Sequence, residues 1–79
     1  MKKSRRERYE NAQKLVEQAK DEFTTLEVEL RDWLDNMPEN LQESRKAEQL
    51  ENTIDDLEDV IEATNDITDR DIEFPGMIG

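Results

Sequence analysis

The stretch Asn36-Met37-Pro38-Glu39-Asn40 separates two apolar patterns of helical period, and reading it as a turn makes the chain a hairpin. Pro38 disfavours helical geometry at Met37 and has no amide proton to donate, so a helix arriving from the N-terminal side ends there. Upstream, apolar residues fall at Tyr9, Ala12, Val16, Ala19, Phe23, Leu26, Leu30, Trp33 and Met37. These alternating three- and four-residue steps predict one long helix carrying a heptad stripe. Leu15 and Leu34 flank the stripe and widen it toward the broad face of a bundle helix. Glu10 to Lys14 and Glu27 to Arg31 are favourably oriented i,i+4 pairs.

Downstream of the turn, either Asn40 with Glu43 as a capping box, or Ser44, starts a second helix. Its apolar positions are Leu50, Ile54, Leu57, Val60, Ile61 and Ile67, with Ala47 and Thr64 at compatible spacing. The pattern stops near Thr68. The expected architecture is all-α, an antiparallel helical hairpin with helices over about 5–36 and 44–68, forming one unit over 1–71. Residues 72–79 form an extended tail around Pro75-Gly76 that carries Ile72, Phe74, Met77 and Ile78. The tail either folds back over the open end of the hairpin or serves as a docking peptide. Trp33, with Leu34 and Met37, is expected to pack at the closed end; the other reading makes it an exposed anchor for a partner.

Charge supports the same topology. Eleven basic and 22 acidic residues among 79 give a net charge of −11. The first eight residues hold five basic side chains and one acidic, net +4, which leaves −15 for the remainder. The basic start of the first helix, and Glu62, Asp66 and Asp69 at the end of the second, each oppose their own helix dipole. An antiparallel hairpin sets those two ends side by side. A lone core in a chain of this size supplies only about 3–5 kcal/mol, and two helices bury only their common seam, so a homodimer forming a four-helix bundle is expected.

Composition narrows the chemistry. The chain has no cysteine and no histidine, which excludes disulfides, Cys/His zinc sites, a Ser–His dyad and a cysteine nucleophile. Asp66, Asp69, Asp71 and Glu73 gather near the end of the second helix, but a calcium loop begun at Asp69 would place Phe74 where glycine is required. Carboxylates suited to acid–base work need burial, and every candidate lies on a polar face. The expectation is a protein that is not an enzyme and uses no cofactor or metal. No apolar stretch follows the basic start, and no apolar run approaches the roughly 20 residues of a bilayer span, so a cytoplasmic protein is expected.

The second helix presents Glu48, Glu51, Asp55, Asp56, Glu58, Asp59, Glu62 and Asp66. Four of its pairs repel at i,i+4 spacing: Glu51 with Asp55, Asp55 with Asp59, Glu58 with Glu62, and Glu62 with Asp66. Together they cost roughly 1–2 kcal/mol, and no basic residue occurs between Lys46 and Arg70 to relieve them. A solvated, solubilising face is the plain reading. The sharper one is a surface for a partner with a basic groove, because carboxylates one turn apart lie about 5–6 Å from each other, close to backbone phosphate spacing. Nucleic acid is then a competitor and not a ligand. The Lys2 to Arg8 cluster is read first as a complement to the end of the second helix. As a site it would suit an anionic surface or, between subunits, a small nucleotide.

The run Arg31-Asp32-Trp33-Leu34-Asp35-Asn36-Met37-Pro38-Glu39-Asn40-Leu41-Gln42-Glu43-Ser44, followed by Lys46, Glu48 and the acidic Ile54-Asp55-Asp56-Leu57-Glu58, resembles segments of small, mostly uncharacterised proteins of tailed bacteriophages. The resemblance spans about half the chain and carries no catalytic signature. It implies a phage or prophage origin, and with it either inhibition of a host or defence protein in the host cytoplasm or a structural role in assembly. No site residue comes with it.

Overall fold

The computed structural model describes residues 4–41 and 44–75. Two α-helices, α1 (Arg5–Asp35) and α2 (Arg45–Thr68), are joined through a short 3-10 turn at Glu39–Leu41. There is no strand among the described residues. Ser4 caps α1, its hydroxyl accepting from the Glu7 amide at 3.1 Å. Ser44 caps α2 in the same way, accepting from Ala47 at 3.3 Å. Of the two starts the sequence offered for α2, the structure therefore uses Ser44; Glu43 lies outside the described residues.

The helices run antiparallel and keep register along their length. Tyr9 meets Arg70 and Trp33 meets Lys46, so 24 residues forward along α1 match 24 residues back along α2. At the open end the contact is made by neutral side chains. Gln13 Nε2 donates to the Ile67 carbonyl at 2.8 Å and to the Tyr9 hydroxyl, which donates in turn to the Arg70 carbonyl at 3.3 Å. The Ile67 carbonyl lies in the last turn of α2, where it also accepts from the Arg70 amide at 3.2 Å, and Arg70 stands two residues beyond the helix. Gln13 Oε1 remains buried and unpaired.

The seam differs from the stripe the sequence suggests. On α1 the half-buried side chains that trace the seam are Tyr9, Gln13, Val16, Lys20, Phe23, Glu27, Leu30 and Leu34, continuing to Met37, with Asn11 half-buried off this track. Tyr9, Val16, Phe23, Leu30 and Met37 belong to both tracks. Between them, Gln13, Lys20, Glu27 and Leu34 replace Ala12, Ala19, Leu26 and Trp33, all four of which are exposed. Two features of the side chains favour this rotation. Ala47, a small residue, is 1% exposed at the closed end of the seam, whereas the bulky Trp33 is 50% exposed. Gln13, Lys20 and Glu27 have long aliphatic stems that can contribute apolar surface at half-buried positions.

The resulting core is thin. Among the described residues only Ala47, Leu50, Ile54 and Thr64 are buried, all from α2, and Thr64 satisfies its hydroxyl by donating to the Ile61 carbonyl at 2.6 Å. The tail beyond α2 folds back, placing the Phe74 ring 5.4 Å from that of Tyr9 at a 58° tilt. Ile72 remains exposed, and Met77 and Ile78 lie outside the described residues. Because Ile54 is 4% exposed and Leu15 is 64% exposed, truncation at these two sites separates core from surface. Ile54→Ala is expected to lower the unfolding free energy by about 2–4 kcal/mol and Leu15→Ala by less than about 0.5 kcal/mol, as read from urea titrations at fixed protein concentration.

Candidate interaction surfaces

The rotation of the seam gives the hairpin two dissimilar flanks. Two residues along an α-helix is a turn of about 200°, so Arg31 and Trp33 leave α1 on opposite sides, as do Glu58 and Val60 on α2. Arg31 pairs with Glu58 and Trp33 contacts Lys46, which assigns one flank to each pair.

The Arg31 flank is acidic. Glu51 and Glu58 border the seam, Glu48, Asp55 and Glu62 stand next to them, and Asp59 and Asp66 lie on the back of α2; all seven are exposed. Helical geometry thus gathers seven of the eight acidic residues singled out in the sequence onto one surface. Asp56, also exposed, is carried past the back of α2 toward the Trp33 flank.

This surface is relieved from outside its own helix. Arg31 Nε donates to Glu27 Oε1 at 2.9 Å, and its Nη2 pairs with Glu58 Oε1 across the seam. The hydrogen bond that Arg31 donates to Glu27 is the first cause holding the guanidinium pKa above its ordinary value, with the charges of Glu27, Glu58 and Asp35 acting in the same sense against a desolvation that opposes them. The Glu27 contact is the i,i+4 pair expected from the sequence, and the cross-helix contact with Glu58 is the one that periodicity alone does not give. The Glu27 side chain is only 18% exposed, because it occupies a seam position, and Arg31 neutralises it there. Glu10 is taken by Arg6 at 3.3 Å, one turn before it, in place of the expected Lys14.

On the other flank, Trp33 is 50% exposed and lies with Lys46 Nζ 5.7 Å from its ring centroid. The two border a shallow groove completed by Leu30, Gln49, Leu50 and Thr53. The exposed reading of Trp33 is therefore the one the structure adopts, and packing at the closed end is left to Leu30, Leu34 and Leu50. Of the apolar tail, Phe74 is spent on Tyr9 and Ile72 is open.

Among the described residues no group of three or more acidic side chains is placed to hold a metal ion, and no helix is long and apolar enough to cross a membrane. Comparison of the chain with protein-family models, with curated proteins and with solved structures finds no match.

Removing the cation of the triad leaves Glu27 in the seam without a counter-charge. Arg31→Gln is expected to lower the thermal midpoint, and Glu27→Gln with Arg31→Gln to recover part of the loss. Circular-dichroism melts at low and high salt check this, the deficit of Arg31→Gln shrinking as salt rises.

Proposed function

We propose that this protein is a non-enzymatic interaction module of phage type, assembled as a dimer of hairpins, whose acidic α2 surface engages a basic surface on a host or defence protein. Nucleic acid competes for that surface on the partner. The reading is carried by the segregation of charge: seven exposed carboxylates share one face of α2, and the basic side chain bound to them, Arg31, comes from the neighbouring helix and contacts one of the seven. A face that only kept the protein soluble has no need to concentrate like charges at one-turn spacing, where they repel. Carboxylates in that array instead offer a basic groove a run of negative charge.

A second reading, a structural or assembly adaptor that contacts its partners through the apolar stripe and the C-terminal tail, draws support from the exposure of Trp33 and Ile72. The two differ in their response to salt. Complexes made by the acidic face weaken as ionic strength rises, whereas apolar contacts do not.

Capture of partner protein from host lysate, by the wild-type chain and by the combined Glu51→Gln, Asp55→Asn, Asp59→Asn and Glu62→Gln variant, tests the reading. The expected outcome is a salt-labile complex, displaced by added duplex or single-stranded nucleic acid and lost in the variant while its helical circular dichroism persists. A complex that the variant retains contradicts the acidic-face reading, and one that resists salt but is lost on removal of residues 74–79 favours the adaptor.

A further inference from the structure

Seven-residue steps from the Trp33–Lys46 contact carry the same register along the hairpin and bring Leu26 level with Thr53, Ala19 with Val60, and Ala12 with Ile67. All eight positions are exposed, among them Leu26 at 42%, Val60 at 39% and Ile67 at 47%. The Trp33 flank is thus a continuous, largely apolar face built from both helices, on the side opposite the acidic surface. Helices that use the two seam tracks and one adjoining track for apolar residues are those of bundles, in which a further layer covers the third track.

We infer that this face is the interface with a second copy of the chain, packed antiparallel so that the turn of each hairpin lies over the open end of the other. The inference rests on the dimeric reading above and goes beyond it in naming the face, the orientation and the pairs.

Shape supports the orientation. Along α1 the face carries small side chains toward the open end, Ala12 and Ala19, and large ones toward the turn, Leu26 and Trp33. A two-fold axis crossing the helices between Ala19 and Leu26 sets Trp33 of one copy over Ala12 of the other, and Leu26 over Ala19, so that bulk meets space. The register of the hairpin puts the same axis between Thr53 and Val60 on α2, so one operator serves both helices. The other two-fold the face allows, parallel to the helices, lays α1 of each copy over α2 of the other and sets Ala19 against Val60 and Leu26 against Thr53, so residues 19 and 26 of the two copies do not meet.

Charge supports the occupant. Although the chain carries −11, the helical positions of the Trp33 flank and its outer border are balanced, with Arg5, Arg8 and Lys46 matching Glu22, Glu29 and Asp56. A second copy meets no net repulsion there, whereas pairing through the acidic surface would oppose like charges.

Area agrees as well. From Ala12 to Trp33 is about 32 Å of helix, and the hairpin is 20 Å across, which gives about 600 Å² per copy and about 1,200 Å² in all, at the lower bound of stable interfaces.

Because the chain has no cysteine, engineered thiols report the packing without background. Light scattering at about 50 μM is expected to give twice the 9.4 kDa chain mass, unchanged or increased by salt as the remote negative charge is screened. Leu26→Lys with Val60→Lys reduces the net negative charge, yet is expected to return the mass to that of one chain with helicity retained.

Ala19→Cys with Leu26→Cys is expected to oxidise to a covalent dimer, since two thiols seven residues apart on one helix cannot close on each other. Asp55→Cys with Glu62→Cys, on the acidic surface, is expected not to. A wild-type chain that stays at one chain mass up to about 1 mM overturns both the dimeric reading and the interface. A dimer that survives Leu26→Lys with Val60→Lys, or that crosslinks through residues 55 and 62, overturns the interface alone. Where the lysine variant loses its helix, the two cysteine pairs decide.

Discussion

Which face of α1 turns toward the buried Ala47, Leu50 and Ile54 of α2 is the constraint on which the rest of the hairpin depends. Leu30 and Leu34 stand in the seam half-buried, and Trp33 is turned out onto Lys46. Seven-residue periodicity then propagates that choice down the helix. Leu26, Ala19 and Ala12 follow Trp33 to the outside, while Glu27, Lys20 and Gln13 enter the seam. Each polar newcomer is accommodated differently. Glu27 is neutralised by Arg31, Lys20 can contribute its aliphatic stem as apolar surface, and Gln13 reaches past the edge to the terminal carbonyl of Ile67.

The same rotation partitions the surface. Arg31 emerges on the flank where most of the α2 carboxylates stand, and by pairing with Glu27 and Glu58 it links the electrostatics of the two helices. The opposite flank is left apolar and balanced in charge. The acidic surface and the apolar flank are therefore separated features, on opposite sides of the hairpin. With only four buried residues among those described, the hairpin alone has a small hydrophobic return to set against the ordering of 55 α-helical residues, to which the proposed interface would add.

Much of this architecture was legible in the residues. Pro38 marks the end of the first helix, Ser44 the start of the second, and the alternation of three- and four-residue steps makes both elements helical with ends within a residue or two of those observed. Phe74, immediately before Pro75-Gly76 and outside any regular pattern, can by sequence either fold back or dock elsewhere, and its contact with Tyr9 shows the folded-back arrangement. What periodicity alone could not decide was which of two adjacent heptad tracks faces α2. Tyr9, Val16, Phe23, Leu30 and Met37 belong to both, and the choice turns on a contact that only the paired helices define. The Glu27–Arg31–Glu58 triad was hidden for the same reason: the i,i+4 half of it is visible in the sequence, and the cross-helix half depends on the seam. Asp56 was grouped with its neighbours by composition, and the helical wheel of the packed α2 separates it from them.

Trp33 is the chain's one tryptophan, so its fluorescence reports directly on the flank that the seam leaves open. The decisive measurement is its emission maximum and its quenching by acrylamide across a dilution series at constant salt. The account predicts blue-shifted, protected emission at high protein concentration that shifts to the red and becomes quenchable on dilution, with helicity unchanged over the onset. Emission that is solvent-exposed and independent of concentration would contradict it.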